Sequence, residues 1–438
     1  MAGAGPPPTM LSGLTMGRPG RTGAMMAMLL IAYTLNFIDR QIIGILAVPI
    51  KADLDLSDRQ LGLMGGLAFA LFYSGLGIPI ARLADRHDRG LIMAVALALW
   101  SLMTAMCGLA HNFWQLFLAR LGVGIGEAGG VAPAYSLISD IYPADRRARA
   151  LAVYSFGIPI GSASGIVFGG VIATLIDWRY AFFIVGLIGL CLAPLFRKVV
   201  RDPRAQAAVS ASGTDGEERA GTGAVLALLA RKPSFWLLAV GASCSSMMGY
   251  GLFFWLPSFL VRSFDITLLS ASLHYGAILL AGGIAGIWLG GRLADDMGKR
   301  SRGAYALIPA VAFIATVPFY AAGISAQSIL TTIALLLVPT ALGLVWLGPV
   351  LAAVQGLVPV TMRTTASAMF LFINNLIGIG VGTPAIGWLS DYLKAAHGEE
   401  SLRQAILWGT SFYVAAAALL LLAARFLPRD WHEETAPR

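Results

Sequence analysis

About twelve stretches of roughly 20 predominantly apolar residues recur along this 438-residue chain, and they constrain its fold more than any other feature. A helix needs about that length to cross hydrocarbon, where each backbone amide must be satisfied within its own segment. The runs lie near 24–48, 60–81, 91–110, 113–138, 148–173, 178–196, 235–261, 268–290, 304–323, 328–354, 365–388 and 405–427. With 57% hydrophobic residues, 12% charged residues and a mean hydropathy of +0.75, the chain has too little polar surface for a water-soluble globule. The expectation is an all-α, multi-pass integral membrane protein of twelve transmembrane helices.

Residues 1–23 are rich in Pro and Gly, lack the apolar centre of a secretory signal and read as a flexible tail; 428–438 form a second tail. The polar, Gly- and Ala-rich segment 197–234 reads as a cytoplasmic linker between two six-run halves, 24–196 and 235–427. If both termini are cytoplasmic, and Arg149, Arg179 and Arg425 at the ends of runs are counted with the nearer side, the cytoplasmic side holds 23 of the 31 Lys and Arg, and the opposite side six. That bias satisfies the positive-inside rule, with both ends in the cytoplasm and the chain in the plasma (inner) membrane. It also assigns the net charge of +8 to an anionic leaflet and not to nucleic acid. Cys107, Cys191 and Cys244 sit singly in different runs and read as packing residues. Neither a metal-ligand spacing nor a nucleophile–base pair is present, so no cofactor, no metal and no enzymatic activity are expected.

The chain repeats itself. "ARLADRHDRG" at 81–90 follows the second run, and "GRLADDMGKR" at 291–300 follows the eighth. Arg147 and Arg363 each stand four residues after a proline that closes the fourth or tenth run, and Asp177 and Asp391 close the fifth and eleventh. Asp85, Arg89, Arg147, Asp295 and Arg363 stand in or just beyond these repeated segments on the cytoplasmic side, where a carboxylate gains from nearby arginine.

Four charges lie deep within the runs: Asp39 and Arg40 in the first, Arg120 and Glu127 in the fourth. Each costs roughly 2.5–3.5 kcal/mol at bilayer depth on insertion scales, so each needs a partner and a task. Adjacent helical residues point about 100° apart, which makes Asp39 and Arg40 poor partners for one another. Arg120 and Glu127 are two turns apart on one stripe. Depth alone pairs Arg40 with Glu127, leaving Asp39 to a cavity or an interhelical polar contact and Arg120 to the same cavity or another partner. The small residues of "LGVGIGEAGG" let neighbouring helices approach Glu127; its GxGxxG pattern follows no strand and is not a nucleotide site. A carboxylate whose surroundings alternate between apolar burial and an arginine can bind a proton in one state and release it in the other. Asp39 and Glu127 are therefore the expected proton-coupling residues.

The duplicated "RLAD" loops, the first completed by Arg89, resemble the signature of the major facilitator transporters over nearly the whole chain, with Asp88 replacing the signature's glycine and Asp296 its arginine. The resemblance implies two pseudo-symmetric six-helix bundles, built of inverted three-helix repeats, rocking about a central site. On that plan Asp85, Arg89, Arg147, Asp295 and Arg363 are expected to form a conformational latch on the cytoplasmic side, made when a central cavity opens outward and broken when it opens inward. "NFIDR" at 36–40 and "RLGVGIGEAGGVAPAYSLISDIYP" at 120–143 resemble the Spinster branch, which carries sphingosine-1-phosphate or lysophospholipids. By that resemblance Asn36, Asp39, Arg40 and Glu127 form the polar cluster. Organic-anion symporters share an Asp-Arg pair and a Glu at these places, so a proton-coupled symporter of small organic anions is the alternative. Runs seven to twelve carry no charge at depth, and "MMGYGLFFWLPSFL" from Met247 is apolar and aromatic. An amphiphile suits that asymmetry, its anionic head near Arg40 or Arg120 and its chain against Tyr250 and Phe254; Asn374 is a further candidate lining residue. The expected partners are the bilayer, an amphiphilic or anionic small molecule and protons, with the carrier acting as a monomer by alternating access.

Overall fold

The computed structural model describes residues 19–203, 222–298, 301–359 and 362–432; of the side chains within those ranges, those of Asp85, Arg147 and Asp295 are among the ones left undescribed. Every regular element among the described residues is a helix, and the helices make twelve traversals. In the first half these are α1 (Pro19–Ile45), α2 (Asp58–Gly65 continued by Leu67–Arg86), α3 (Arg89–Cys107), α4 (Phe113–Glu127 continued by Val131–Ile141), α5 (Ala144–Ser155 continued by Gly157–Leu175) and α6 (Trp178–Val199). In the second they are α7 (Pro233–Phe264), α8 (Leu268–Gly298), α9 (Ala304–Ser325), α10 (Ile329–Leu342 continued by Leu347–Gly356), α11 (Arg363–His397) and α12 (Ser401–Gly409 continued by Ser411–Asp430). Two short α-helices, Ala47–Leu54 and Thr222–Ala230, and one 3₁₀ turn, Gly398–Glu400, lie between traversals.

Ten of the described stretches are long and apolar enough to cross a bilayer, and one of them, Thr365–Asp430, contains both α11 and α12. α4, which carries Arg120 and Glu127 and breaks after Glu127, falls outside that set. After Glu127 the backbone tightens: Gly129 N donates to Gly126 O at 3.1 Å and Gly130 N to Glu127 O at 3.0 Å, three-residue bonds in place of the α-helical four. α10 breaks likewise between Leu342 and Leu347. The apolar pattern carries the first run to 48, yet α1 stops at Ile45 and the short helix takes over.

Polar side chains cap the helices that start at the ends of the bundle. Asp88 accepts from Leu91 N (3.1 Å), Asn112 from Gln115 N (3.0 Å) and Asp177 from Arg179 N (2.8 Å), satisfying amides that the helix leaves open. Ser57 and Gln60 form a reciprocal capping box at the start of α2. In the interior, glycine sets helix spacing. A Cβ at Gly124 would fall 2.6 Å from the Phe69 carbonyl oxygen, and one at Gly126 would fall 2.6 Å from Trp100 N. α4 therefore lies against the backbones of α2 and α3, where its next residue, Glu127, is enclosed.

Twelve traversals bring both chain ends to one end of the bundle, the terminal end; the other is the distal end. At the distal end the two halves touch. A Cβ at Gly62 would lie 2.9 Å from Pro384 Cα, and one at Gly66 2.6 Å from Ile379 O, so α2 and α11 meet almost backbone to backbone. Gly44 of α1 faces Phe253 and Phe254 of α7 in the same way, at 3.3 Å.

Candidate functional site

Between the halves lies a cavity of about 210 Å³. Its polar wall is Arg40, Gln41 and Arg120 of the first half; Tyr250, Phe253 and Phe254 of α7, with Trp346 and Leu347 of α10, supply the apolar side. The break in α10 thus contributes directly to the cavity, while the break in α4 follows the buried Glu127.

The four deep charges resolve into two ion pairs. Arg40 Nε donates to Glu127 Oε2 at 2.7 Å, and Arg120 Nη1 donates to Asp39 Oδ1 at 3.1 Å. Asp39 and Arg40 turn to different partners, as adjacent positions on a helix require. Thr104 of α3 approaches the second carboxylate oxygen, with Oγ1 2.6 Å from Asp39 Oδ2. In both pairs the arginine reaches the cavity wall and the carboxylate lies behind it; Asp39 and Glu127 are 0% exposed.

Aromatic rings hold Arg40. Its guanidinium carbon lies 4.5 Å from the Tyr73 ring centroid, 4.7 Å from Phe69 and 5.2 Å from Phe37, a cage that supports a cation through the ring quadrupoles. Hydrogen-bonding capacity is nevertheless left over. Arg40 Nη2, Arg120 Nε, Glu127 Oε1 and Asn36 Oδ1 are all buried without a protein partner, and so is Ser245 Oγ of α7. Unfilled donors at the ends of two cavity-facing arginines are a natural seat for an anion.

The other residues singled out from the sequence fall as follows. Tyr250 and Phe254 line the cavity. Asn36 is buried one helical turn before Arg40, and Asn374 is buried, accepting from Ser246 Oγ at 2.9 Å. Arg89 is fully buried between the first half and the start of the connecting segment 197–234: it donates to Asp202 Oδ2 and Oδ1 of that segment (2.8 and 2.5 Å) and to Ser136 Oγ (2.9 Å), and it pairs with Asp140 at 2.7 Å. Arg363 donates to the Gln355 carbonyl at 3.2 Å within the second half. Asp85, Arg147 and Asp295 lie outside the described side chains.

A cluster at the distal end was not singled out from the sequence. Asp58, at the start of α2, accepts from both Nη atoms of Arg262 on α7 (2.7 and 2.8 Å), from Lys51 Nζ (2.6 Å) and from Ser390 Oγ on α11 (2.8 Å). Asp391 completes the clamp by accepting from the backbone amides of Asp58 (3.2 Å) and Arg59 (2.7 Å), across the interface between the halves. One signal was available: Lys51 and Arg262 belong to the side that the charge bias leaves nearly free of basic residues, and a cation there needs a local reason. Thr104 and the ring cage offered none, since a threonine or a phenylalanine in an apolar run is ordinary.

The sequence profile described as Major Facilitator Superfamily matches residues 29–382. An "MFS-type efflux pump" of Mycolicibacterium smegmatis is 35% identical over 422 residues, 95% of this chain and 96% of that protein. Human "Protein spinster homolog 1" is 29% identical over 394 residues, covering 86% of this chain and 74% of that protein. The crystal structure of a bacterial homologue of the human lysosomal transporter Spinster, inward-facing and unoccupied, superposes with a TM-score of 0.86 at 30% identity, covering 96% of this chain and all of that one.

Proposed function

Since the chain belongs to the Major Facilitator Superfamily, in its Spinster branch, and is a membrane transporter and not an enzyme, we propose that it is a proton-coupled carrier of an anionic amphiphile of the lysophospholipid or sphingosine-phosphate type. One observation carries this reading: two cavity-facing arginines with spare buried donors, each neutralised by a carboxylate that the cavity does not reach. An anionic head group entering the cavity competes with Asp39 and Glu127 for those arginines. A buried carboxylate deprived of its partner is unfavourable by about 3–5 kcal/mol, so it takes up a proton instead. Substrate binding and protonation then favour each other, and by linkage the proton tightens the substrate to the same degree. Movement of both in one direction follows. The apolar wall around Tyr250, Phe253 and Phe254 accommodates a chain, at about 0.8 kcal/mol per buried CH₂.

In this reading transport proceeds by alternating access. The clamp of Asp58, Arg262, Lys51, Ser390 and Asp391 is the distal gate, shut in this conformation, and its ion pairs must part when the cavity opens to that side. The positive-inside bias supports cytoplasmic termini in the inner membrane, which makes the shut gate the outer one. The likeness to an inward-facing relative agrees with that assignment.

The efflux-pump relative favours a second reading, antiport, in which protonation expels the substrate. The two differ in sign. Binding of a lysophospholipid and of short organic acids to the purified protein, each measured in slightly acid and slightly alkaline buffer, tests them together. Lysolipid bound preferentially, and more tightly in acid, supports the proposal. Preference for the short acids gives the organic-anion alternative, and tighter lysolipid binding in alkali gives antiport.

A further inference from the structure

Thr104 stands in an arrangement that its single hydroxyl proton cannot fully satisfy in one state. Its Oγ1 lies 2.6 Å from Asp39 Oδ2 and 2.8 Å from the Trp100 carbonyl oxygen, one helical turn back on α3. Both are hydrogen-bond distances for O–H···O, yet a hydroxyl has one hydrogen and both neighbours are acceptors while Asp39 is ionised. Thr104 and Asp39 are both 0% exposed, so no solvent compensates for a wrong choice.

We propose that Thr104 is a positioning residue for Asp39, whose hydroxyl changes partner as that carboxyl gains and loses its proton. With Asp39 ionised, the Thr104 hydroxyl donates to Oδ2, and the Trp100 carbonyl keeps only its ordinary helical amide. When a proton arrives from water through the cavity, it forms an O–H bond on Oδ2. That group now donates to Thr104 Oγ1, and the Thr104 hydroxyl turns to the Trp100 carbonyl. No hydrogen is lost from the threonine in either state; only the direction of two hydrogen bonds reverses. The second state satisfies both short contacts at once, so the site is already built for a neutral Asp39 as well as for a charged one.

The groups facing Asp39 shape this exchange. Arg120 holds the other oxygen from α4 at 3.1 Å, Arg40 and Glu127 form the neighbouring pair, and Cys107 lies one turn beyond Thr104 on α3, within electrostatic reach of Asp39 and Arg120. When a ligand draws Arg120 away, Thr104 is the partner that stays with Asp39. Thr104 thereby keeps the carboxyl oriented at the step when its arginine has left.

The inference rests on the reading of Asp39 as a proton-coupling residue, and infrared difference spectroscopy of the full-length protein during a pH titration with saturating lysophospholipid separates the two. The wild type is expected to show a protonated-carboxyl C=O band that is lost in Asp39→Asn. In Thr104→Val, which keeps the shape and removes the hydroxyl, that band should change frequency and its titration midpoint should move by about one pH unit, the scale set by one hydrogen bond to a charged group. Thr104→Ser should restore both. No band attributable to Asp39 in the wild type overturns the proton-coupling reading together with this inference. A band that Thr104→Val leaves unmoved overturns the inference alone, as does a change that serine does not reverse, since that marks a packing role. Should Thr104→Val fail to fold, serine against alanine gives the same contrast.

Discussion

In the first half α4 breaks directly after Glu127; in the second α10 breaks from Gly343, the residue that the alignment of Arg147 with Arg363 sets opposite Glu127. The α4 break follows a buried carboxylate paired to a caged arginine, whereas the α10 break lines the cavity itself with Gly343 and Leu344 beside Trp346 and Leu347. The backbone plan was duplicated and the chemistry was not. A central site between two such halves has a charged wall and an apolar wall, which on the proposed reading suits an amphiphile. The contrast also divides labour: on the proposed reading one half senses the proton and the other discriminates the chain.

The largest effect expected from breaking this contrast comes from neutralising the charged wall. Asp39→Asn and Glu127→Gln should each reduce gradient-driven transport in proteoliposomes about a hundredfold or more while the purified protein stays folded, because a carboxylate that must lose and regain its arginine is worth about 3–5 kcal/mol there. Wild-type rates in both would make the pairs structural. Arg40→Lys comes next. It keeps the charge but loses the flat, forked guanidinium stacked among Phe37, Phe69 and Tyr73, and lysolipid affinity should fall about tenfold. An unchanged dissociation constant would show that the cage does not matter to the anion.

On the apolar wall, Phe254→Ala should weaken a long-chain lysolipid about fivefold to tenfold, a short-chain one much less, and leave the pH dependence of binding as in the wild type. A loss equal for both chain lengths would place the chain elsewhere. Smallest is the gate. Asp58→Asn keeps hydrogen-bonding oxygen but removes the charge that Arg262 and Lys51 share, and labelling of a cysteine introduced on the cavity side of the clamp should rise about threefold from the distal side. No rise would mean that the backbone contact of α2 with α11 holds that end shut without the ion pairs.

Much of this could be read from residue types alone, and the rest could not for physical reasons. Twelve apolar runs and four costly charges give a helical membrane protein with a polar first half, because a run of about 20 apolar residues satisfies its own amides only as helix and a charge persists there only with a partner; that it is a transporter was legible through the resemblance carried by the repeated Arg-Leu-Ala-Asp loops. The pairing of Arg40 with Glu127 was accessible from depth. The pairing of Arg120 with Asp39 was not, since it depends on how closely α4 approaches α3 and α1, and that distance is set by glycine contacts on faces a single sequence does not identify. The distal clamp lies further still from view. Asp58 and Arg262 are 204 residues apart, and only the docking of one half on the other brings them together.

The central claim is that an anion in the cavity takes arginine from a buried carboxylate, which answers by taking a proton from solution. Proton uptake on ligand binding measures that directly: purified protein in weakly buffered solution with a pH indicator, mixed with lysophospholipid. The account predicts alkalinisation that saturates with the ligand and disappears in the Asp39→Asn, Glu127→Gln double variant. Acidification, or uptake of equal size in the double variant, would contradict it.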